Sequence, residues 1–209
     1  MAFGTRVRFK SVQAARLAAL FAWVAAGEGD RLAAMSTLRN APALPPRGGE
    51  RGVMRLLAAL CRWQPAPGDP EARVRPVSAV LDEASRALRP GSRVLLAVDP
   101  WRLDEAAIDR MVALHRHHDL ILALLADPLE LEPPPRGRLP ISDGGRTLWL
   151  DAGSMAVREA WQRELSGRVR ALTARLRRAG LAAGLVSPAE DVVEALAGLL
   201  HGRPREGRA

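Results

Sequence analysis

Two short apolar runs, Val94–Val98 and Leu120–Leu125, each close on an acid, Asp99 and Asp127, and a single helical pattern, Asp104–His118, separates them. Apolar runs of roughly four to eight residues bounded by turn chemistry read as strands buried on both faces. Strand, helix and strand in that order make a β-α-β unit, so the two strands should be parallel and adjacent. Ligands of open α/β sheets bind beyond the carboxyl ends of the strands, and both acids fall there.

The rest of the chain alternates in the same way. Ser11–Ala26 predicts a helix apolar on nearly every side, stopped by Gly27, Gly29 and Asp30. Arg31–Thr37 is a short strand candidate, and Asn40–Leu44 could pair with it until Pro45 and Pro46 end the segment. Glu50–Trp63 predicts a helix with Val53, Leu56, Leu57 and Leu60 on one face, and Gln64–Arg73 has linker composition. A stripe of Val77, Val80, Leu81, Ala84 and Leu88 predicts the next helix. After the Pro133–Pro135 loop, Leu139–Ile141 and Thr147–Leu150 read as a hairpin through Asp143, Gly144 and Gly145. Met155–Ala179 predicts a long helix with Gly180 beyond its end, and Ala183–Val186 a weak strand. Ser187, Pro188 and Glu190 form a capping box for a last helix burying Val192, Val193, Leu196, Leu199 and Leu200. The expected fold is α/β, a mostly parallel doubly wound sheet with helices on both faces and a β-hairpin insertion near 139–150. Residues 1–202 are expected to form one domain and 203–209 a flexible tail.

The net charge of +8 suggests nucleic acid at first sight. However, Lys10 is the only lysine, the arginines are spread along the whole chain, and there are no Tyr, three Phe and five Trp to build a stacking platform. Nucleic-acid binding is therefore not expected, and a solvated arginine-rich surface is. The N-terminal residues have the outline of a secretory signal peptide, with a basic front and the apolar run Leu17–Ala26. That run is too short for a transmembrane span of about 20 residues, and a buried internal helix is the preferred reading. No membrane span and a cytoplasmic location are expected.

Several side chains could carry chemistry. Asp127 and Glu130 could act as an acid/base pair, but Asp-Pro is turn chemistry, and an acid there can accept backbone N–H groups. His115, His117 and His118 lack the i, i+4 spacing of a helical ligand pair and suit capping of a helix C-terminus. Arg168, Arg170, Arg175, Arg177 and Arg178 read as a solvated helix face, with partner docking as the functional alternative. Cys61, the one cysteine, is expected to be a core or half-buried thiol. No phosphate-binding glycine loop, nucleophile elbow or Cys-x-x-Cys pair is present, so nothing argues for an enzyme.

Four segments together resemble the family called domain of unknown function 58, whose fold is von Willebrand factor A-like. They are RFKSVQAARLAALFAW, the PRGGERG turn, HRHHDLILALLADPLE and the PISDGGRTLWLD hairpin. The most specific pieces are His118-Asp119 before a strand and Asp127-Pro128-Leu129-Glu130 after it. The resemblance implies a first, central strand ending in Asp-x-Ser-x-Ser, followed by a Met where Met1 stands, so the chain looks N-terminally incomplete. The implied metal-ion-dependent adhesion site takes oxygen ligands from three loops, as Mg²⁺ requires. Asp99 matches its last position as a remnant; Thr37 is a weak match for the Thr, and Arg47-Gly48-Gly49 lies in a nearby loop. No cofactor is expected, Mg²⁺ entering only if the missing motif is supplied.

In the implied fold the missing strand lies between Arg31–Thr37 and Val94–Val98, leaving two strands across a gap about 10 Å wide. Thr5–Phe9 could fill it, the halves could close up, or another chain could donate a strand, and the open edge could also support a homo-oligomer. The expected function is a non-enzymatic protein–protein interaction module. The resemblance implies a MoxR-type AAA+ ATPase as partner, in complex assembly or maturation. The interaction edge would be Asp99, Pro100, Trp101, Asp127 and Glu130, with Trp101 either exposed or folded onto the helix below. The alternative is a divalent-metal-dependent binding protein or hydrolase using the same edge.

Overall fold

A computed structural model describes residues 8–64, 74–142 and 147–201. The chain enters α1 (Lys10–Gly27), rich in alanine and leucine and free of proline, and Gly29 turns it at a φ of +83°. β1 (Arg31–Ala34) and β2 (Leu44–Gly48) follow and pair antiparallel, with Arg31 opposite Gly48 and Ala34 opposite Leu44. α2 (Gly49–Arg62) and α3 (Val77–Ala87) lead to the predicted unit of β3 (Arg93–Val98), α4 (Glu105–His115) and β4 (Asp119–Leu125). Asp104 starts α4 by accepting the Ala107 N–H at 2.8 Å. Beyond it lie the one-turn α5 (Pro128–Leu131) and the hairpin β5 (Arg138–Ser142) and β6 (Thr147–Asp151). A helical run then comprises α6 (Met155–Trp161), a π-helical segment at Gln162–Gly167 and α7 (Arg168–Arg178). β7 (Ala182–Val186) and α8 (Val192–Leu200) complete the described chain.

β3, β4 and β7 form a parallel three-stranded sheet in that order, with Val94 opposite Leu120 and Leu125 opposite Val186. β4 is central, and its side chains divide by parity as the period of two demands. Leu120, Leu122 and Leu124 pack with Leu81, Met111 and Leu176 from α3, α4 and α7. Ile121, Ala123 and Leu125 pack with Leu17 of α1 and Leu196 of α8. Helices thus cover both faces of this sheet, and the molecule is a mixed α/β structure.

The structure corrects several expectations. β1 does not join the parallel sheet; it pairs with β2 in a separate two-stranded sheet. β2 runs through Pro45 and Pro46 instead of ending at them, which is tolerable because a two-stranded sheet offers proline an edge. A third apolar cluster, Ala22, Leu44, Val53, Leu56 and Ala59, ties this sheet and α2 to α1. α1 is less buried than its composition suggests, with Trp23 and Val24 exposed. α8 starts after Asp191, not Ser187, because Asp191 accepts two N–H groups, from Val193 at 2.9 Å and Glu194 at 3.1 Å. Val193 and Leu200 are exposed, whereas Ala195 joins Leu196 and Leu199 inside. Cys61 is exposed.

The 65–73 part of the linker, the 143–146 turn, Thr5–Val7 of the gap-filling segment and the 203–209 tail lie outside the described residues; Arg8 and Phe9 are not in a strand. The sheets have not closed together, and a cavity of about 1640 Å³ lies between β1 and β3. No helix among the described residues is long and apolar enough to cross a membrane.

Candidate functional site

The carboxyl ends of all three parallel strands converge on the first turn of α1. Lys10 is only 1% exposed. Its Nζ lies 3.3 Å from Asp99 Oδ2, just beyond β3, and 2.6 Å and 2.7 Å from Glu130 Oε2 and Oε1, in α5 after β4. Gln13, one turn on and fully buried, donates to the Glu190 carbonyl beyond β7 at 3.0 Å. One ammonium thus holds two acids from different strands. Buried charges persist only where paired and hydrogen-bonded, and here Asp99 Oδ1 and both Glu130 oxygens also accept protein N–H groups.

Asp99 Oδ1 accepts the Trp101 N–H at 3.1 Å and opens a 3₁₀ turn over Pro100–Arg102. Asp127 and Glu130 form a reciprocal capping box on α5. Asp127 accepts the Leu129 N–H at 3.0 Å, and Glu130 Oε2 accepts the Asp127 N–H at 2.7 Å. The Trp101 indole N–H donates to Glu130 Oε1 at 2.9 Å. The turn-chemistry reading of Asp127 and Glu130 therefore holds, with Glu130 adding a bond to the lysine that the sequence did not suggest.

Asp99, Pro100, Asp127 and Glu130 are buried, and Trp101 is 37% exposed. Trp101 is both exposed and tethered: Glu130 pins its nitrogen, and the Arg168 guanidinium sits 5.1 Å from its ring centroid. Across the same rim the Asp191 carboxyl is held below the usual carboxylate range, chiefly by the Glu194 N–H and next by that of Val193.

The other candidates fall elsewhere. The Thr37 carbonyl accepts the Arg75 N–H at 2.6 Å, and Arg47-Gly48-Gly49 forms the β2–α2 junction. Neither belongs to the cluster around Lys10. The Nδ1 atoms of His115 and His118 are buried without a hydrogen-bond partner, so the expected carbonyl capping is not made through them. The arginines of α7 are exposed, as the solvated-face reading requires, but Arg168 and Arg175 are engaged, Arg175 with Glu105. That pairing pushes the Arg175 guanidinium up and the Glu105 carboxyl down through their shared hydrogen bonds.

The donor set does not fit the Mg²⁺ that the metal-site resemblance implies. A hard cation needs about six oxygens with free lone pairs, and here an ammonium and backbone N–H groups already occupy the facing oxygens of Asp99 and Glu130. Among the described residues, no group of three or more His, Cys, Asp or Glu is placed to hold a metal ion. Sequence reasoning missed Lys10 and Gln13. The available signal was that one lysine stood alone among 31 basic residues, at the start of a helix.

The model of a family described as a protein of unknown function, DUF58, matches residues 1–170. No curated protein and no solved structure matches the chain.

Proposed function

The chain belongs to the DUF58 family, and from that premise we propose that it is a non-enzymatic protein–protein interaction module. Its fold is read as von Willebrand factor A-like, and its partner as a MoxR-type AAA+ ATPase, with which it works in complex assembly or maturation in the cytoplasm. The observation that carries this reading is the internal use of the rim's acids. Asp99 and Glu130 face Lys10, not solvent. The rim instead presents an indole backed by a guanidinium, Trp101 under Arg168. Tryptophan and arginine are the residue types that most often anchor protein interfaces, and buried, lysine-paired carboxylates make poor general acids or bases toward an outside substrate.

Titration of the full chain against the MoxR-type ATPase encoded in the same genome tests the reading. Saturable binding is expected, with a loss of about 2 kcal/mol or more for Trp101→Ala, read beside that variant's own melting temperature. Absence of binding by the wild-type chain sinks the proposal. Calorimetry with Mg²⁺ and Mn²⁺ tests the rival metal-dependent reading. No heat of binding is expected from the wild type, and binding abolished by Asp99→Ala would favour the rival.

A further inference from the structure

The end of α5, the loop after it and the π-helical segment enclose a pocket of about 440 Å³, a size within the roughly 300–1,000 Å³ of small-molecule sites. Arg158, Gln162, Ser166 and Arg170 line it from the helical run, and Glu132 from the loop. Ser166 is 3% exposed, and its Oγ has no hydrogen-bond partner among the described residues. Thr173, equally buried in α7, donates to the Val169 carbonyl four residues back at 2.8 Å; Ser166, inside the π-helical segment, makes no such bond. Buried hydroxyls are nearly always paired, so an orphaned one in a pocket wall points to an acceptor supplied by a ligand. π-helical turns within helices also recur at functional sites.

We infer that this pocket binds the phosphoryl group of a small phosphate monoester, held between the Arg158 and Arg170 guanidiniums with the Ser166 hydroxyl donating to it. The arginines decide the charge of the occupant. Arg158 is half-buried, and its Nη1 donates to the Pro134 carbonyl at 2.8 Å and the Ala152 carbonyl at 3.3 Å. Those bonds fix the guanidinium and leave its Nε–Nη2 edge, whose two parallel N–H groups match two oxygens of an oxyanion. Arg170 is exposed and makes no side-chain hydrogen bond or ion pair among the described residues. Its neighbours on α7 differ, Arg168 lying on Trp101 and Arg175 on Glu105. Glu132 pairs with neither arginine of the pocket, so two guanidiniums stand against one carboxylate and positive charge is in excess.

The donors decide between oxyanions. The free edge of Arg158, the whole Arg170 fork, the Ser166 hydroxyl and the Gln162 amide offer more N–H and O–H groups than the two oxygens of a carboxylate accept. A phosphoryl group brings three terminal oxygens and a charge of roughly −1.5 to −2 at pH 7, which uses them more fully. Glu132 is an acceptor only, so it repels the phosphoryl oxygens and suits a hydroxyl on the rest of the ligand. Neither Trp101 nor Glu130 lines the pocket, so this site and the proposed partner surface can fail separately.

Calorimetry of the full chain at constant ionic strength tests the site with inorganic phosphate, glycerol phosphate and acetate. Saturable one-site binding of both phosphates is expected, with acetate about tenfold weaker or worse. Arg170→Gln, an exposed position, should weaken phosphate binding about tenfold. Ser166→Ala should weaken it about fivefold and yet raise the melting temperature, because it removes a buried hydroxyl that has no partner within the described protein. Glu132→Gln should tighten inorganic phosphate by removing the opposing charge. Arg163→Gln, on the same helical run but outside the lining, should change nothing. The site is overturned by the absence of saturable binding of either phosphate at millimolar concentration, by acetate binding as tightly as phosphate, or by unchanged affinity in both Arg170→Gln and Ser166→Ala. It is equally overturned by weaker phosphate binding in Glu132→Gln, or by a loss in Arg163→Gln as large as in Arg170→Gln, which would reduce the effect to diffuse arginine charge. A phosphoserine peptide that binds where glycerol phosphate does not would assign the phosphoryl group to a protein chain and overturn the small-molecule source.

Discussion

At the scale of single residues, Lys10 shows how position outweighs composition. In a chain whose 30 other Lys/Arg positions are all arginine, the compact ammonium is used where two carboxylates are bridged inside the protein. Arginine's planar fork is larger and less easily accommodated in such a point-charge position. Lys10→Met should lower unfolding free energy by about 3–5 kcal/mol, because it leaves two buried carboxylates without their counter-charge. Urea denaturation measures this, and the double variant Lys10→Met/Glu130→Gln should lose less than the sum of the single losses; strict additivity would show that the pair is not coupled. The acids of this cluster were legible in the sequence, since Asp99 and Asp127 close apolar runs and Asp-Pro marks a turn. The lysine was not, because no local pattern distinguishes a helix-start lysine facing solvent from one turned under a sheet edge.

At the scale of elements, legibility followed the strength of the local period. β3, α4 and β4 were readable to within a few residues, since a doubly buried run and an amphipathic helix leave few alternatives. The start of α8 was not, because Ser187 and Asp191 are both good caps. The Ser187–Glu190 box does form, with Ala189 N–H on Ser187 Oγ at 3.2 Å, but it closes a turn ahead of the helix. Asp191 accepts two N–H groups, which lowers its pKa in the folded state. Its contribution is therefore present above the unfolded value of about 3.9 and is lost as pH falls through the lower folded value. The melting temperature of the wild type should fall more steeply than that of Asp191→Asn as pH drops below about 4, and parallel profiles would remove Asp191 from the acid response. α2 carries a different constraint. A Cβ at Gly52 would collide with the Arg47 backbone carbonyl where the helix folds back on β2. Gly52→Ala should cost about 1–3 kcal/mol by overpacking, read as a lower denaturant midpoint with an unchanged slope.

At the scale of the whole molecule, the division into two sheets is what sequence could least supply. Arg31–Ala34 has strand character, but its composition does not say which neighbour it takes, and the pairing that wins is local and antiparallel. The outcome is two packed regions of unequal size. The parallel sheet is packed from both faces, with Leu120, Leu122, Leu124 and Leu125 fully buried. The β1–β2–α2 region has its own smaller core and is joined to the rest through Ala22 of α1 and through Arg75, whose N–H and guanidinium reach the Thr37 and Ser36 carbonyls. Regions with fewer buried contacts open at lower free energy than the global transition. Native-state hydrogen exchange in low denaturant should therefore separate two groups of amides. Those of β4 should exchange only through global unfolding, and those of β1, β2 and α2 through a smaller opening with a weaker denaturant dependence. If the isotherms coincide, the contacts of α1 and Arg75 hold the two sheets together through the opening, and the molecule unfolds as one unit.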